Sequence, residues 1–578
     1  MRCTLCSQGR RMTKYIIVVG GVISGVGKGV ITASLGAIFK QYGHRVCLIK
    51  IDPYINVDAG TLRPTEHGEV WVTYDGGEID QDLGTYERFI DESIPKKNNI
   101  TTGQIYQAVI ERERQGGYLG KTVQFVPHIL DEIRNRITDA AAGYDIALIE
   151  LGGTVGDYEN VPFLCAVKSL ERLCGRAHVA YVHVTYLPVP SHIGEMKTKP
   201  AQQALKLLNE SGIFPDLVIC RSADEVDAVR RQKIETYAHL PHESVISSPD
   251  SSTIYQVPLD LERKGVAQKL MDILGMQPTA VPQWQVWQHA LQRITAPSRT
   301  ITIGIVGKYI ESGDYAMTDS YVSISHALLH AGIAHDVRVQ ITWFNAQEFE
   351  MDPAALVRLQ ACDGILVPGG FGTTGVEGKI ATIAYAREQK IPYLGICYGM
   401  QLAVVEYARH KAGLHDAATT EVNPSTPHPV VTLLPLQQKL LQGHAYGGTM
   451  RLGDYAAHST PNTHMHRLYS QLHRLQTDGT VIERHRHRYE VNPAYVELLQ
   501  SHGLCFSGYY EREDGTRLME FLEIHGHPFF VATQAHPEFT SRLGNPNPLF
   551  YGFVQACVSM PTHKYHIQQK TVAVQNNL

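Results

Sequence analysis

The stretch "KYIIVVGGVISGVGKGV", residues 14–30, decides how the first half of the chain folds. Its apolar, β-branched run reads as a buried strand, glycines follow, and an amphipathic segment begins at Lys28. That order makes a cradle for an anion. Backbone N–H groups can close on phosphate, and the helix N-terminus adds partial positive charge. Lys28 would reach the terminal phosphates. The stretch departs from the common phosphate-loop pattern, however. Five residues separate Gly21 from Gly27 instead of four, and Gly29 stands where Ser or Thr usually offers Mg2+ a hydroxyl. Carboxylates must then hold the ion. Glu150 ends the strand-like "YDIALIE", at the carboxyl edge where such sheets bind ligands. Asp80 and Asp82 in "GGEIDQDLGTYERF" compete for the second position, and spacing does not choose between them.

Outward from this loop, "HRVCLIKIDPY", "YDIALIELGG", "HVAYVHVTYLPV" and "PDLVICRS" read as further buried parallel strands. Helix-length stretches lie between them, as after Lys28 and over residues 125–141. This alternation predicts a doubly wound α/β domain over residues 13–275. The segment "GMQPTAVPQWQVWQHALQRITAPSRT" has prolines toward both ends and predicts a linker, residues 276–299. A second alternation, "ITIGIVGKY", "VRVQITWF", "DGILVPGGFG", "IPYLGICYG" and "PFFVATQAHPEF", predicts a second doubly wound domain over 300–561. Residues 434–478 read as loops and edge strands, and 562–578 as a loose polar tail. Residues 1–12 read as a non-essential extension without the apolar core of a secretory signal. Its Cys3 and Cys6 lack the partner pair that a zinc site needs.

The bulk composition agrees with this plan. At 578 residues the chain exceeds one core, so two large domains are expected. A formal charge of -5 gives no basic surplus for nucleic acid, and no apolar run is long enough for a bilayer. Singly scattered cysteines point to reduced thiols in a cytoplasmic protein.

In the second half, "YLGICYGMQ" sets Cys397 between two glycines where an apolar run stops. Small neighbours permit the strained turn that exposes a nucleophile at a sheet edge. A thiol there needs a base and oxyanion donors. His536 in "QAHPEF" ends another apolar run, and Glu538 can orient its ring. Backbone N–H groups of Tyr398 and of Gly370 in "VPGGFG" can supply the oxyanion hole. In "ERHRHRYEV", a strand would put Arg484, Arg486 and Arg488 on one face and His485 and His487 on the other. Such a strand is either a solvated edge or a source of a guanidinium for a substrate carboxylate.

These residues resemble the CTP synthase family. The likeness spans "GGVISGVGKG", "KIDPYINVDAGT", "HGEVWV", "DLGTYERF", "ELGGTVGDYE", "GEMKTKPAQ", "PGGFG", "GVEGK", "GICYGMQ", "GGTMRLG", "ERHRHRYEVN" and "HPEFTSR". It implies a dethiobiotin-synthetase-like synthetase domain, then a class I glutamine amidotransferase domain. It also implies amination of UTP to CTP through a 4-phosphorylated UTP, with ammonia released at Cys397. ATP is implied at Gly25, Val26, Gly27, Lys28, Gly29, Val30 and Asp82, and Mg2+ at Asp82 and Glu150, which chooses Asp82 over Asp80. UTP is implied at Ser24, Lys197, Thr198, Lys199, Pro200, Ala201, Gln202 and Lys233, with Lys50 also near the nucleotides. Feedback-inhibiting CTP would share the triphosphate site and place its ribose and base by Asp157, Tyr158 and Glu159. Glutamine is implied at Gly370, Tyr398, Gly399, Met400, Gln401, Glu421 and Arg488. A homotetramer and allosteric activation by GTP are implied as well. Three departures stand out: Tyr398 where leucine is usual, Thr374 where an arginine associated with GTP activation is common, and Leu62 with Arg63 where Met and Ser are frequent. Another phosphate-loop amidoligase would not need "KIDPYINVD". A ParA-like ATPase would not need the thiol set, and a decayed filament protein would not keep Lys28, Cys397 and His536.

Overall fold

The structure, a computed structural model, describes residues 12–62, 68–241, 243–308, 311–312, 315–316, 318–433 and 450–560. Cys3, Cys6, Arg63, residues 434–449 and the tail from 562 lie outside the described residues. By its contacts the chain divides into two compact units, Met1–Thr61 with Gln81–Leu291, and Leu62–Asp80 with Gln292–Leu578. The division falls within the helix Gln285–Thr295, inside the stretch read as linker.

The strands up to Pro249 are β1 (Lys14–Gly20), β2 (Val46–Asp52), β3 (Val70–Val72), β4 (Glu78–Asp80), β5 (Asn99–Thr101), β6 (Ile146–Leu151), β7 (Val179–Tyr186), β8 (Leu217–Ser222) and β9 (Val245–Pro249). Seven of them form one sheet in the order β5-β2-β6-β1-β7-β8-β9. Every pairing in it is parallel. Buried on both faces, these strands need continuous apolar runs, which is why "YIIVV" and "IALIEL" lack a polar alternation. Ile16, Ile17 and Val18 are fully enclosed, each worth roughly 1.5–3 kcal/mol of burial. The edge strands "NIT" and "VISSP" are short and carry no such run, and the sequence did not reveal them. Helices α1 (Lys28–Gln41), α3 (Lys199–Glu210) and α4 (Ala228–Ala238) follow β1, β7 and β8 in sequence, and α2 (Asp82–Ile90) follows the hairpin strand β4.

The β3–β4 hairpin is antiparallel and groups with the second unit, although the sequence placed residues 62–80 in the first domain. The reason is packing. Trp71 packs against Phe539 with ring centroids 4.8 Å apart and the rings tilted, and the Arg484 guanidinium lies 5.4 Å from the Trp71 ring.

The second unit adds β10 (Arg299–Gly307), β11 (Val337–Asn345), β12 (Gly364–Val367), β13 (Tyr393–Ile396), β14 (Ala417–Thr419), β15 (His428–Leu433), β16 (Arg451–Ser459), β17 (Thr480–His487), β18 (Tyr489–Val491), β19 (Leu504–Glu511), β20 (Arg517–Ile524) and β21 (Phe530–Thr533). Its main sheet runs β11-β10-β12-β13-β21-β20-β19-β16-β17. The first five strands pair in parallel, and the last four continue antiparallel. The parallel part carries helices α5 (Val376–Glu388) and α6 (Tyr398–His410). Residues 451–459, expected as loop or edge, form a strand between β19 and β17, and His464–Gln471 is a helix. The strand is hard to read from sequence because its enclosed positions include the charged Arg451 and the side-chain-free Gly453.

Candidate active sites

In the first unit the loop leaving β1 turns through left-handed positions at Gly25 (φ +74°) and Gly27 (φ +95°), and Gly27 precedes α1. Lys28 folds back so that Nζ donates to Gly153 O at 2.7 Å. Burial lowers the basicity of this amine, and Lys50 adds to that effect against the pull of Glu150, Asp82 and Asp52. A Cβ on Gly29 already lies in the space of Asp82: the contact to Oδ1 would be 2.5 Å even before a serine hydroxyl were added. The aspartate on α2 therefore takes the place where other phosphate loops put their hydroxyl. The departure from the common pattern and the acid on α2 are one feature.

Lys50 on β2 gathers three carboxylates. Its Nζ pairs with Asp82, lies 2.9 Å from Glu150 Oε1, and lies 3.8 Å from Asp52 Oδ1. Tyr86 donates its hydroxyl to Glu150, and Asn99 donates to Asp52 at 2.8 Å. Burial raises the Asp52 carboxyl to about 6, with Lys50 working against the rise. Asp80, the alternative acid, sits instead on the hairpin strand β4, opposite Val70.

Two more segments meet this loop. Val155 N donates to Gly20 O at 2.8 Å, which ties residues 153–159 to the end of β1. Ala204 of α3 lies where a Cβ on Gly21 would meet it at 2.5 Å, so the first turns of α3 stand beside the loop. In these segments Ser24, Tyr158, Glu159 and Lys199 are exposed, whereas Val26 and Ala201 are buried and can offer only backbone. Asp157 accepts from Thr154 N at 2.8 Å, Lys197 pairs with Glu195 at 2.7 Å, and Gln202 donates to Thr198 Oγ1 at 3.3 Å. Arg230 of α4 reaches Met196 O at 2.9 Å, which brings α4, and the exposed Lys233, to the same loop. Sequence reasoning missed two side chains here. Arg221, next to the last residue of β8, has its Nε 3.5 Å from a Cβ on Gly27, and His183 on β7 lies enclosed beside Gly21. Burial, with Lys28 adding to it, pushes His183 down to about 3. Each is a polar residue inside an apolar strand, the one signal the sequence offered.

In the second unit the thiol sits on a true elbow. Cys397 has φ +50° and ψ −101°, between β13 and α6, a conformation costing of order 1–3 kcal/mol. Gly399 is required there, since its Cβ would come within 2.2 Å of Val367 O. Sγ lies 3.8 Å from Arg486 O, which accepts from it, and 3.7 Å from the donating Gln534 Nε2. His536 Nδ1 and Glu538 Oε1 are 2.7 Å apart. Burial works against the imidazolium, but Glu538 and Cys397 outweigh it and push His536 up to about 10. A Cβ on Gly369 would meet His536 Cε1 at 2.9 Å and Cys397 Cβ at 3.6 Å, so ring and thiol flank the same glycine.

The predicted glutamine residues divide. Tyr398 donates its hydroxyl to Gly372 O at 3.0 Å, and Gly372 N donates to Glu421 Oε1 at 2.6 Å. Burial raises the Glu421 carboxyl, with Lys308, Arg488 and Lys379 opposing the rise. Met400 is fully buried in the core, and the Gln401 amide is spent on Tyr489 O at 2.9 Å and Gln534 Oε1 at 3.2 Å. Those two can meet a ligand through backbone only. The three-arginine strand is not a solvated edge. Arg484, His485 and His487 are buried; Arg484 donates to Val72 O at 3.1 Å and Arg486 pairs with Glu78 at 2.8 Å. The Arg486 guanidinium also lies 5.5 Å from the Phe371 ring, next to Gly370. The hairpin thus packs against the strand whose backbone carries the thiol's acceptor, a role sequence gave no sign of.

Comparison with known proteins finds matches to both halves of the chain. A family model described as CTP synthase N-terminus matches residues 14–276, and one for class-I glutamine amidotransferase matches residues 316–556. A CTP synthase of Thermococcus kodakarensis is 50% identical over 545 residues, 94% of this chain and 98% of that one. A CTP synthase of Methanocaldococcus jannaschii is 49% identical over 551 residues, again 94% of this chain and 98% of that one. The glutaminase domain of Trypanosoma brucei CTPS with bound acivicin is 36% identical, covering 45% of this chain and 95% of that one with a TM-score of 0.41.

Proposed function

The chain belongs to the CTP synthase family, and we propose that its two sites divide that family's reaction, the ATP-driven amination of UTP to CTP with glutamine as nitrogen donor. One observation carries the reading. A single chain holds a phosphate loop with paired carboxylates and a thiol backed by an imidazole–carboxylate pair.

In the synthetase unit, ATP is assigned to residues 25–30 with Asp82, and UTP to Ser24, residues 197–202 and Lys233. Residues 157–159 take the base and ribose of inhibitory CTP. The O4 of uracil is a poor leaving group, and transfer of a phosphoryl group from ATP makes it a good one. Lys28 and Lys50 supply positive charge where phosphate charge must be gathered. Asp82 and Glu150 converge on one cationic point, the Lys50 ammonium, and their hard oxygens suit Mg2+. The ion, when bound with the nucleotide, spreads charge on the phosphoryl oxygens.

In the glutaminase unit, Cys397 Sγ attacks the amide carbon of glutamine. The N–H groups of Gly370 and Tyr398 receive the oxyanion, and His536 hands a proton to the departing ammonia. Water then releases glutamate from the thioester. Glu421 and Arg488 are assigned to the α-ammonium and α-carboxylate. Ammonia must reach C4 of the activated uracil before bulk water protonates it. Free thiols at the described cysteines support a cytoplasmic setting. The homotetramer, feedback by CTP and stimulation by GTP rest on the resemblance alone. Among the described residues no helix is long and apolar enough to cross a membrane.

The test is Lys28→Ala, followed by the ultraviolet change from uracil to cytosine nucleotide with ATP, UTP and either glutamine or ammonium. Synthesis should be lost with both nitrogen sources while glutamine hydrolysis persists. Retained ammonium-driven turnover would contradict the loop assignment.

A further inference from the structure

The reaction above gives no task to Lys379, the last residue of "GVEGK", on α5. Its side chain is wholly enclosed, and Nζ has no hydrogen-bond partner among the described residues. An amine left in that state is costly, so its location matters. A Cβ on Gly370 would lie 3.7 Å from Nζ, and the Tyr398 ring centroid is 5.4 Å away. Gly370 and Tyr398 are the two residues whose N–H groups face the oxyanion in the proposed reaction. Tyr398 further fixes the turn through its hydroxyl on Gly372 O.

We propose that Lys379 is a positioning residue for glutamine hydrolysis: its amine backs the 370–372 turn and Tyr398, and its charge sets how well their N–H groups hold the oxyanion. The inference rests on the glutaminase reading of Cys397 and deepens it. Charge at this point acts through few competing dipoles, because the surroundings are dry. Burial pushes the ammonium down to about 7, and Lys308 adds to the fall while Cys397 and Glu421 oppose it. The groups facing the amine come from several elements. Lys308 follows β10, Cys397 and Tyr398 open α6, Glu421 follows β14, and Glu377 lies on α5 itself, acting on Tyr398. Arg488 reaches the set through Glu421. Below about pH 7 the charged amine favours the oxyanion; above it, that support is withdrawn. The imidazole does not compete for this step, since His536 is held near 10.

The experiment measures kcat and KM for glutamine hydrolysis from about pH 6 to pH 9 in the full chain, Lys379→Met and Lys379→Arg. Ammonium-driven CTP synthesis reports that each variant is folded. The full chain should show a roughly three- to tenfold fall in kcat centred near pH 7, a fraction of what one direct oxyanion donor is worth. Lys379→Met should be flat there at the alkaline level, Lys379→Arg flat at the acidic level, and KM should move less than about twofold. A Lys379→Met variant that keeps the full step overturns the proposal alone. So does a Lys379→Arg variant that matches Lys379→Met. A full chain that hydrolyses no glutamine overturns the reading of Cys397, and the proposal with it.

Discussion

Lys50 and Lys379 are both hidden from water, at 5% and 0% exposure, and they end in opposite states. Burial lowers the basicity of both. At Lys50, Asp82, Glu150 and Asp52 outweigh that penalty and hold the ammonium well above its ordinary range. At Lys379 no carboxylate among the described residues is in hydrogen-bonding reach, Lys308 adds repulsion, and the amine falls to about 7. Burial therefore does not settle a lysine's charge; the acids within a few ångströms do. The difference suits the two reactions. Gathering a triphosphate needs a fixed positive charge, whereas an oxyanion that forms and collapses needs only a backing charge that can vary.

The largest effect should come from breaking the compensated lysine. Lys50→Met leaves buried carboxylates facing one another and should cost ~3–5 kcal/mol of stability, read as a lowered Tm, and abolish synthesis from either nitrogen source. Adding Glu150→Gln should return part of the stability and none of the synthesis. A Lys50→Met protein with unchanged Tm would mean that the cluster is not held by its cation.

The uncompensated lysine predicts a smaller effect of opposite sign. Its native pKa, about 7, lies below the unfolded value near 10.5, so the unfolded chain binds more protons between these pH values. The stability penalty of Lys379 is full below about pH 7 and fades as pH rises toward 10. Lys379→Met should accordingly be the more stable protein at pH 7, with its advantage shrinking by up to ~1.4 kcal/mol per pH unit above that. A difference in Tm independent of pH between 7 and 9 would refute the comparison at this end.

The sequence disclosed what repeats locally. Apolar runs ending in Gly25, Gly27 and Lys28, or in Cys397 between two glycines, carry their conformation in neighbouring residues. The five expected parallel strands of each unit needed nothing more. Three features depended on distant partners and stayed hidden. Gly29 reads as a missing hydroxyl until Asp82 is found against it. The hairpin at residues 70–80 reads as part of the first domain until Trp71 and Glu78 are found on Phe539 and Arg486. Arg484, His485 and His487 look solvated in a row of charges, yet the strand that bears them is enclosed. Resemblance placed Lys50 near the nucleotides, but nothing in the sequence told that its amine is paired and that of Lys379, among the described residues, is not.

The division of labour between the two units has one direct measurement: Cys397→Ala supplied with ATP, Mg2+ and UTP, and then with either glutamine or ammonium. The account predicts that CTP formation from glutamine falls by about a thousandfold or more while formation from ammonium keeps the full chain's rate. Equal loss with both nitrogen sources, in a variant of unchanged Tm, would contradict it.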